Sequence, residues 1–298
     1  MINTRKVLIL GAGASMPFAF PSGWGLVHDV CTGLQGGQAL RRVLEDELKF
    51  DSDLLTNFGT SLKSSRQPSV DQFLELRPEF LEVGKAAIAA ALIPNEVPSR
   101  LDPPQPTWYD YLFNALRCKP EVFRENCLSI VTYNYDRSLD FFLLRSLQSS
   151  YGIRPQEARE LLSLIPIIHL HGQLGDLQLS EDEPGRPYTT QLTARAVQVA
   201  ADGIRVVHEE ITEAYDRALD CIRAADMICL LGFGYNETNV ERLRLSLWPS
   251  VSTYGTAYGL TNSEISRIHN ERLKGRSFSF GTGQQDVLAF LRHYALLP

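Results

Sequence analysis

Apolar residues fall into two rhythms along this chain. Short, mainly apolar runs occur at Val7–Leu10, Leu128–Thr132, Ile165–Leu170 and Met227–Leu231. Runs of that length with little polar alternation are what strands buried on both faces of a parallel sheet look like. Between them, apolar positions recur three and four residues apart. Leu139, Phe142, Leu143 and Leu147 stand at offsets zero, three, four and eight, and Val287, Phe290, Leu291 and Tyr294 at zero, three, four and seven. Each set is one face of an amphipathic helix. Val207, Ile211, Ala214, Tyr215, Ala218, Ile222 and Ala225 follow the same spacing, as do Leu40, Val43, Leu44 and Leu48. Phe73, Leu76, Phe80, Leu81 and Val83 predict a further helix, with Pro78 placed to break it. The tail adds a short strand near Thr253 to Leu260 and a helix near Ser263 to Leu273. Strands alternating with amphipathic helices predict an α/β fold, a Rossmann-like parallel sheet with helices on both faces.

Between the first two strand signals the chain reads as helical or irregular, which predicts a helical insertion at about residues 36–126. Pro17, Pro21, Gly23 and Gly25 predict a loop ahead of it, and Pro94, Pro98, Pro103, Pro104 and Pro106 an irregular connection. Gln173 to Pro187, rich in Asp, Glu, Gly and Pro, predicts a mobile surface loop. A length of 298 residues allows one large or two smaller domains.

Charge and cysteine content narrow the context. With 29 Lys and Arg against 35 Asp and Glu, the net charge is -6. A chain that coats phosphate backbones is normally basic, so strong direct nucleic-acid binding is not expected. Five cysteines, an odd number with no two-residue spacing, predict reduced thiols rather than a zinc knuckle or a disulfide framework. No stretch reaches the about 18 apolar residues a membrane helix needs, and Val7–Leu10 is too short for a signal-peptide core. The expectation is a cytoplasmic protein without membrane contact.

Four strand ends carry distinctive residues: Gly11 to Ser15, Thr132 to Asp136, His171-Gly172, and Gly232 to Asn239. In a parallel sheet these gather at one edge, where ligands bind. Because the chemistry is split between residues 11–25 and 132–239, the chain is expected to be one domain, 1–298. Gly11-Ala12-Gly13-Ala14-Ser15 lets backbone amides approach a phosphate, although a tight turn with no ligand reads the same way. The third glycine of a dinucleotide fingerprint is replaced by Met16, and no second strand with an acidic residue follows, which disfavours a plain oxidoreductase. Asn134 and Asp136 are candidates to hold a water or ribose hydroxyl, or equally to cap the next helix. His169 and His171 share a face by strand alternation. No further ligands accompany them, so a metal site is not expected. His171, at the strand end beside Gly172, suits a general base. Asn236 and Thr238 are either ligand contacts or helix caps.

Taken in this order, the four segments resemble the SIR2 (sirtuin) superfamily, and more closely the SIR2-like domains of bacterial antiphage defence than the protein deacylases. Gly11-Ala12-Gly13-Ala14-Ser15 matches the phosphate loop and Pro21-Ser22-Gly23-Trp24 the segment after it. Thr132-Tyr133-Asn134-Tyr135-Asp136 matches the T-x-N-Y-D motif, Leu170-His171-Gly172 the His-Gly motif, and Leu231-Gly232-Phe233-Gly234 with Asn239 the later loop. The resemblance covers residues 5 to about 260, with identity confined to these islands. The chain lacks the Pro-Asp-Phe-Arg stretch of deacylases and has no cysteine between Gly172 and Asp220, where their zinc module lies.

The resemblance implies an NAD+ glycohydrolase that needs no zinc. Asn134 and His171 would be catalytic. Gly11, Ala12, Gly13, Ala14, Ser15, Thr132, Asp136, Gly232, Asn236 and Asn239 would contact NAD+. The products would be nicotinamide and linear or cyclised ADP-ribose. A defence effector of this kind acts by NAD+ depletion and must be restrained, so a homo-oligomer or a separately encoded partner is expected. The competing readings are an NAD-dependent deacylase or ADP-ribosyltransferase, and a non-catalytic subunit that senses NAD or ADP-ribose.

Overall fold

A computed structural model describes residues 1–180, 182–206, 212–244, 248–273 and 277–297. Its centre is a six-stranded parallel sheet of β1 (Lys6–Leu10), β2 (Leu128–Thr132), β3 (Ile167–His169), β4 (Met227–Leu231), β5 (Ser252–Gly255) and β6 (Phe278–Phe280). The order across the sheet is β3-β2-β1-β4-β5-β6, that of a doubly wound dinucleotide-binding fold. The sheet is parallel throughout, with β1 at its switch point between β2 and β4.

Side-chain alternation explains why β1 is apolar at every position after Lys6. Leu8, Leu10, Ile130 and Leu231 enter one core, while Val7, Ile9, Val131 and Leu230 enter another on the opposite face. Helices cover both faces. The first core is closed by the helices between β1 and β2, by Ser138–Tyr151, Ala194–Gly203 and Val287–His293. The second is closed by Thr212–Arg223, Glu237–Arg242 and the segment around Ile268. The helices of the long β1–β2 connection share their apolar core with the sheet rather than enclosing one of their own.

Several local expectations change. The first helix begins at Gly23, so Gly23 and Gly25 lie inside it rather than in a loop. Ser22 makes this possible by accepting the Gly25 N–H at 3.1 Å as a cap. Pro78 does divide its segment, into Val70–Leu76 and Leu81–Leu92, with Arg77 in a non-helical conformation before the proline. The expected strand near Thr253 to Leu260 is shorter and earlier, at Ser252–Gly255, and β6 was not anticipated. Val207 and Ile211 lie outside the described residues.

Apart from Glu181, which lies outside the described residues, the polar stretch from Gln173 to Pro187 is irregular, and both its ends are tied down. Arg137, wholly buried, donates to the carbonyls of Gly175, Asp176 and Arg186 at 3.0–3.1 Å and to Glu96 at 2.7 and 3.0 Å. Arg186, from the stretch itself, lies 2.6 Å from the same Glu96 carboxylate. Loop backbone groups that would otherwise seek water are satisfied by a buried guanidinium, an attachment that composition does not reveal. No helix among the described residues is long and apolar enough to cross a membrane.

Candidate active site

Strand register brings the four motifs level. Leu10 pairs with both Thr132 and Leu231, and Thr132 pairs with His169. The residues just past this row therefore share one edge. They line a cleft of about 440 Å³ that includes Ala12, Gly13, Asn134, His171, Gly232, Asn236 and Asn239. A side cavity of about 90 Å³ opens between Ser15, Asn134 and Asp136, sharing Ala12, Asp71 and Asn134 with the cleft. On the other side of Gly232-Phe233-Gly234, a cavity of about 430 Å³ runs toward β5 and Asp286. The three adjoin along the carboxyl ends of the strands.

The glycines serve the protein first. Gly232 has φ +60, and a Cβ there would stand 2.0 Å from the Ala14 nitrogen. The two glycine loops pack backbone to backbone, with Gly13 N–H donating to the Gly232 carbonyl at 2.9 Å. Ala14 N–H donates to the Gly11 carbonyl, and Ser15 N–H to that of Ala12. Of the amides in the loop expected to approach a phosphate, those of Gly11, Gly13, Ala14 and Ser15 are thus engaged. Among the described residues the Ala12 N–H has no partner. Further donors come from the helix Gly23–Gly33. Its first-turn amides at Gly23 and Trp24 have no intrahelical acceptor, and both residues line the cleft. Gly172 is the second glycine forced by contact, since at φ +69 a Cβ would meet the Gly203 carbonyl at 2.0 Å.

Asn134 is held in one orientation. Its Nδ2 donates to the Gly11 carbonyl and to Ser15 Oγ, both at 3.0 Å. A carbonyl can only accept, so the amide nitrogen must face it, and Oδ1 is left as an acceptor to which no described residue donates. Thr132 Oγ1 accepts the Asn134 N–H at 3.0 Å.

The two histidines part company. His169 faces the Asn134 carbonyl at 3.0 Å through Nδ1 and Asp140 at 3.3 Å through Nε2. Burial lowers its pKa, but Asp140 and the Asn134 carbonyl outweigh that, and the net shift is upward. His171 is buried, no carboxylate among the described residues is bonded to it, and desolvation sets its pKa below the ordinary value against the upward pull of Asp71 and Glu75. The Tyr215 hydroxyl lies 3.4 Å from its Nε2. Burial pushes that phenol up to about 12, so it stays protonated. His171 is therefore a neutral imidazole at neutral pH, as a base must be.

Some expected contact residues stand behind the cleft rather than on it. Ala14 is fully buried, its carbonyl accepting from Trp108 Nε1 at 2.8 Å. Thr132 is buried and acts on Asn134. Asp136 accepts from the backbone and hydroxyl of Ser138, and burial raises its pKa; it lines the side cavity only. Asn236 lines the cleft and also caps the helix Glu237–Arg242, accepting the Asn239 N–H at 2.8 Å. The side chain of Thr238 lies outside what the structure describes.

The sequence reading missed Asp71, Gln72, Trp24, Tyr215 and Arg242. Arg242 lines the cleft and pairs with Glu75 at 2.7 Å, joining the helix Val70–Leu76 to the helix Glu237–Arg242. The one available signal was the cap: Ser69 accepts the Gln72 N–H, and Val70, Phe73 and Leu74 are buried, leaving Asp71 and Glu75 on the other face.

No protein-family model matches the chain, and no curated protein does. Among solved structures it is similar to a triple-mutant Sir2 homologue in complex with 2'-O-acetyl ADP ribose. The two share 15% identity and a TM-score of 0.43, over 98% of this chain and 92% of that one.

Proposed function

We propose that this chain is an NAD+ glycohydrolase of SIR2-like type. It would break the bond between nicotinamide and ribose to give nicotinamide and ADP-ribose, linear or cyclised. The observation that carries this reading is the pairing, in one cleft at the sheet's switch point, of a neutral buried His171 with an Asn134 whose amide is fixed. The adjoining cavities would give a dinucleotide room on both sides of that point. The adenosine half would lie toward β5 and the nicotinamide toward the side cavity.

In this reading the open amides of Ala12, Gly23 and Trp24 bind the pyrophosphate, which explains how an acidic chain accepts an anion. Gly232 allows close backbone approach, while Asn236 and Asn239 face the adenosine ribose. Asn134 Oδ1 accepts from the attacking water or a ribose hydroxyl. His171 takes the proton that water gives up. Ser15, Thr132 and Asp136 hold Asn134 and the loop in place. The absence of the deacylase zinc cysteines supports hydrolysis over protein deacylation. We extend the proposal to an antiphage effector acting by NAD+ depletion in the cytoplasm, restrained by self-assembly or by a separately encoded partner.

The test is to incubate purified protein with NAD+ and quantify nicotinamide and ADP-ribose, with ADP-ribose binding measured by calorimetry. Turnover is expected to fall by about 10²- to 10⁴-fold in His171→Ala, with a comparable loss in Asn134→Ala. Turnover that survives both substitutions overturns the assignment. Hydride transfer, or release of an acyl group from a lysine peptide, would replace it with another reaction.

A further inference from the structure

Asp71 stands where the main cleft and the small side cavity meet, and both are lined by it together with Tyr133 and Asn134. It is carried there by the helix Val70–Leu76, whose opposite face is anchored in the core by Val70, Phe73 and Leu74. One carboxylate oxygen accepts from the Tyr135 hydroxyl. That phenol is kept protonated by burial, so it can only hold the carboxylate in place. Among the described residues the second oxygen makes no hydrogen bond. Asp136 differs in place and surroundings: it lines the side cavity alone, it is buried, and its carboxyl is held by Ser138 through both amide and hydroxyl and by Ser15. Arg242, the cation of the same cleft, is engaged by Glu75. The junction therefore holds one oriented carboxylate with an unused oxygen, beside the amide of Asn134.

Resting on the NAD+-cleaving reading above, we propose that Asp71 is a catalytic residue that stabilises the positive charge developing on the ribose as nicotinamide leaves. The bond from the anomeric carbon to the pyridinium nitrogen breaks, and its electron pair neutralises that nitrogen. The positive charge passes to the anomeric carbon and ring oxygen, facing Asp71. The water oxygen then bonds to the anomeric carbon, and its proton goes to the imidazole of His171. Glycosidic cleavage elsewhere sets an ionised carboxylate against the same kind of oxocarbenium state. A carboxylate fixed beforehand does so without reorganising during the reaction.

The experiment compares wild type with Asp71→Asn, which keeps an acceptor for Tyr135 and removes only the charge. Nicotinamide release is expected to fall by about 10²-fold in kcat, with KM changing by less than about threefold. Two ligands provide a readout that a structural role would not move: ADP-ribose, and an ADP-linked pyrrolidinium that mimics the cationic ribose. Asp71→Asn is expected to bind ADP-ribose as wild type does and the cation about tenfold more weakly or worse. Asp71→Glu is expected to recover part of the affinity for the cation. Equal loss of both ligands, or wild-type affinity for the cation, overturns the role of Asp71 while leaving NAD+ cleavage standing. A wild type that binds ADP-ribose but is silent still decides the matter through the two ligands. A wild type that binds neither and releases no nicotinamide overturns both proposals.

Discussion

The cleft is bounded by two regions of different origin. One is made of strand-end loops, where Asn134 and the glycines are fixed by bonds to neighbouring strand ends. The other is the helical connection between β1 and β2, which brings Ser22, Trp24 and Asp71 to the cleft and Glu75 to Arg242. The first region sets geometry through backbone that cannot move independently of the sheet. The second supplies charge and covers the cleft through side chains held by packing and ion pairs. It is the region whose role a fold alone does not specify.

The strongest way to break this comparison is to cut the tie between the regions. Glu96, from the helical connection, faces Arg137 after β2 and Arg186 of the 173–187 stretch, with the Glu96 and Arg137 side chains fully buried. Burial and the neighbouring Arg137 already push the Arg186 pKa down to about 10. Glu96→Gln would leave two buried guanidiniums without a counter-charge, which costs about 3–5 kcal/mol of folding stability. Denaturant unfolding measures it. A change within about 0.5 kcal/mol would mean that the regions are joined by apolar packing alone.

A second, intermediate effect separates the two histidines of the strand-end region by pH. Because His171 is depressed in the folded state, kcat/KM for NAD+ is expected to hold near neutrality. It should fall on the acid side with a midpoint below 6.5, the ordinary histidine value. The signs for stability are opposite. The raised pKa of His169 contributes stability that is complete below 6.5 and lost as pH rises through the raised value. The lowered pKa of His171 contributes stability above 6.5 that is lost as pH falls toward the lowered value. A pH–rate profile together with melts of His169→Asn and His171→Asn checks both. An acid limb with its midpoint above 6.5 would reverse the assignment.

The smallest effect sharpens the picture of the cover. Glu75 and Arg242 are each about one-fifth exposed, at 19% and 17%, so their pair is partly screened. Glu75→Gln is expected to cost about 0.5–1 kcal/mol in thermal melts. It should also quicken hydrogen exchange in the helix Val70–Leu76 while leaving exchange in β1 and β2 unchanged.

Much of the strand-end region was legible because its signals are local. Val7–Leu10 running into Gly11 states both a buried strand and the turn that ends it. Thr132-Tyr133-Asn134 places an amide two residues beyond another strand. The meaning of those glycines was not legible. Gly232 is required by the Ala14 backbone, a contact between residues more than 200 positions apart that no local pattern encodes. Composition also could not reveal how the Gln173–Pro187 stretch is attached, by a buried Arg137 that bonds the carbonyls of Gly175, Asp176 and Arg186.

By itself, then, the sequence determined the class of fold and the edge on which the chemistry gathers. Hydrophobic periodicity and strand-end residues are properties of neighbouring positions, and a parallel sheet aligns its strand ends without further instruction. Only the tertiary structure decided which groups face the cleft and in what charge state. It lowered the pKa of His171 by burying it, against the pull of Asp71 and Glu75, and gave His169, two residues earlier, to Asp140. It also brought Asp71 to the side of Asn134. Desolvation and Coulomb interaction depend on distance in space, and that distance exists only once the helical connection has packed onto the sheet.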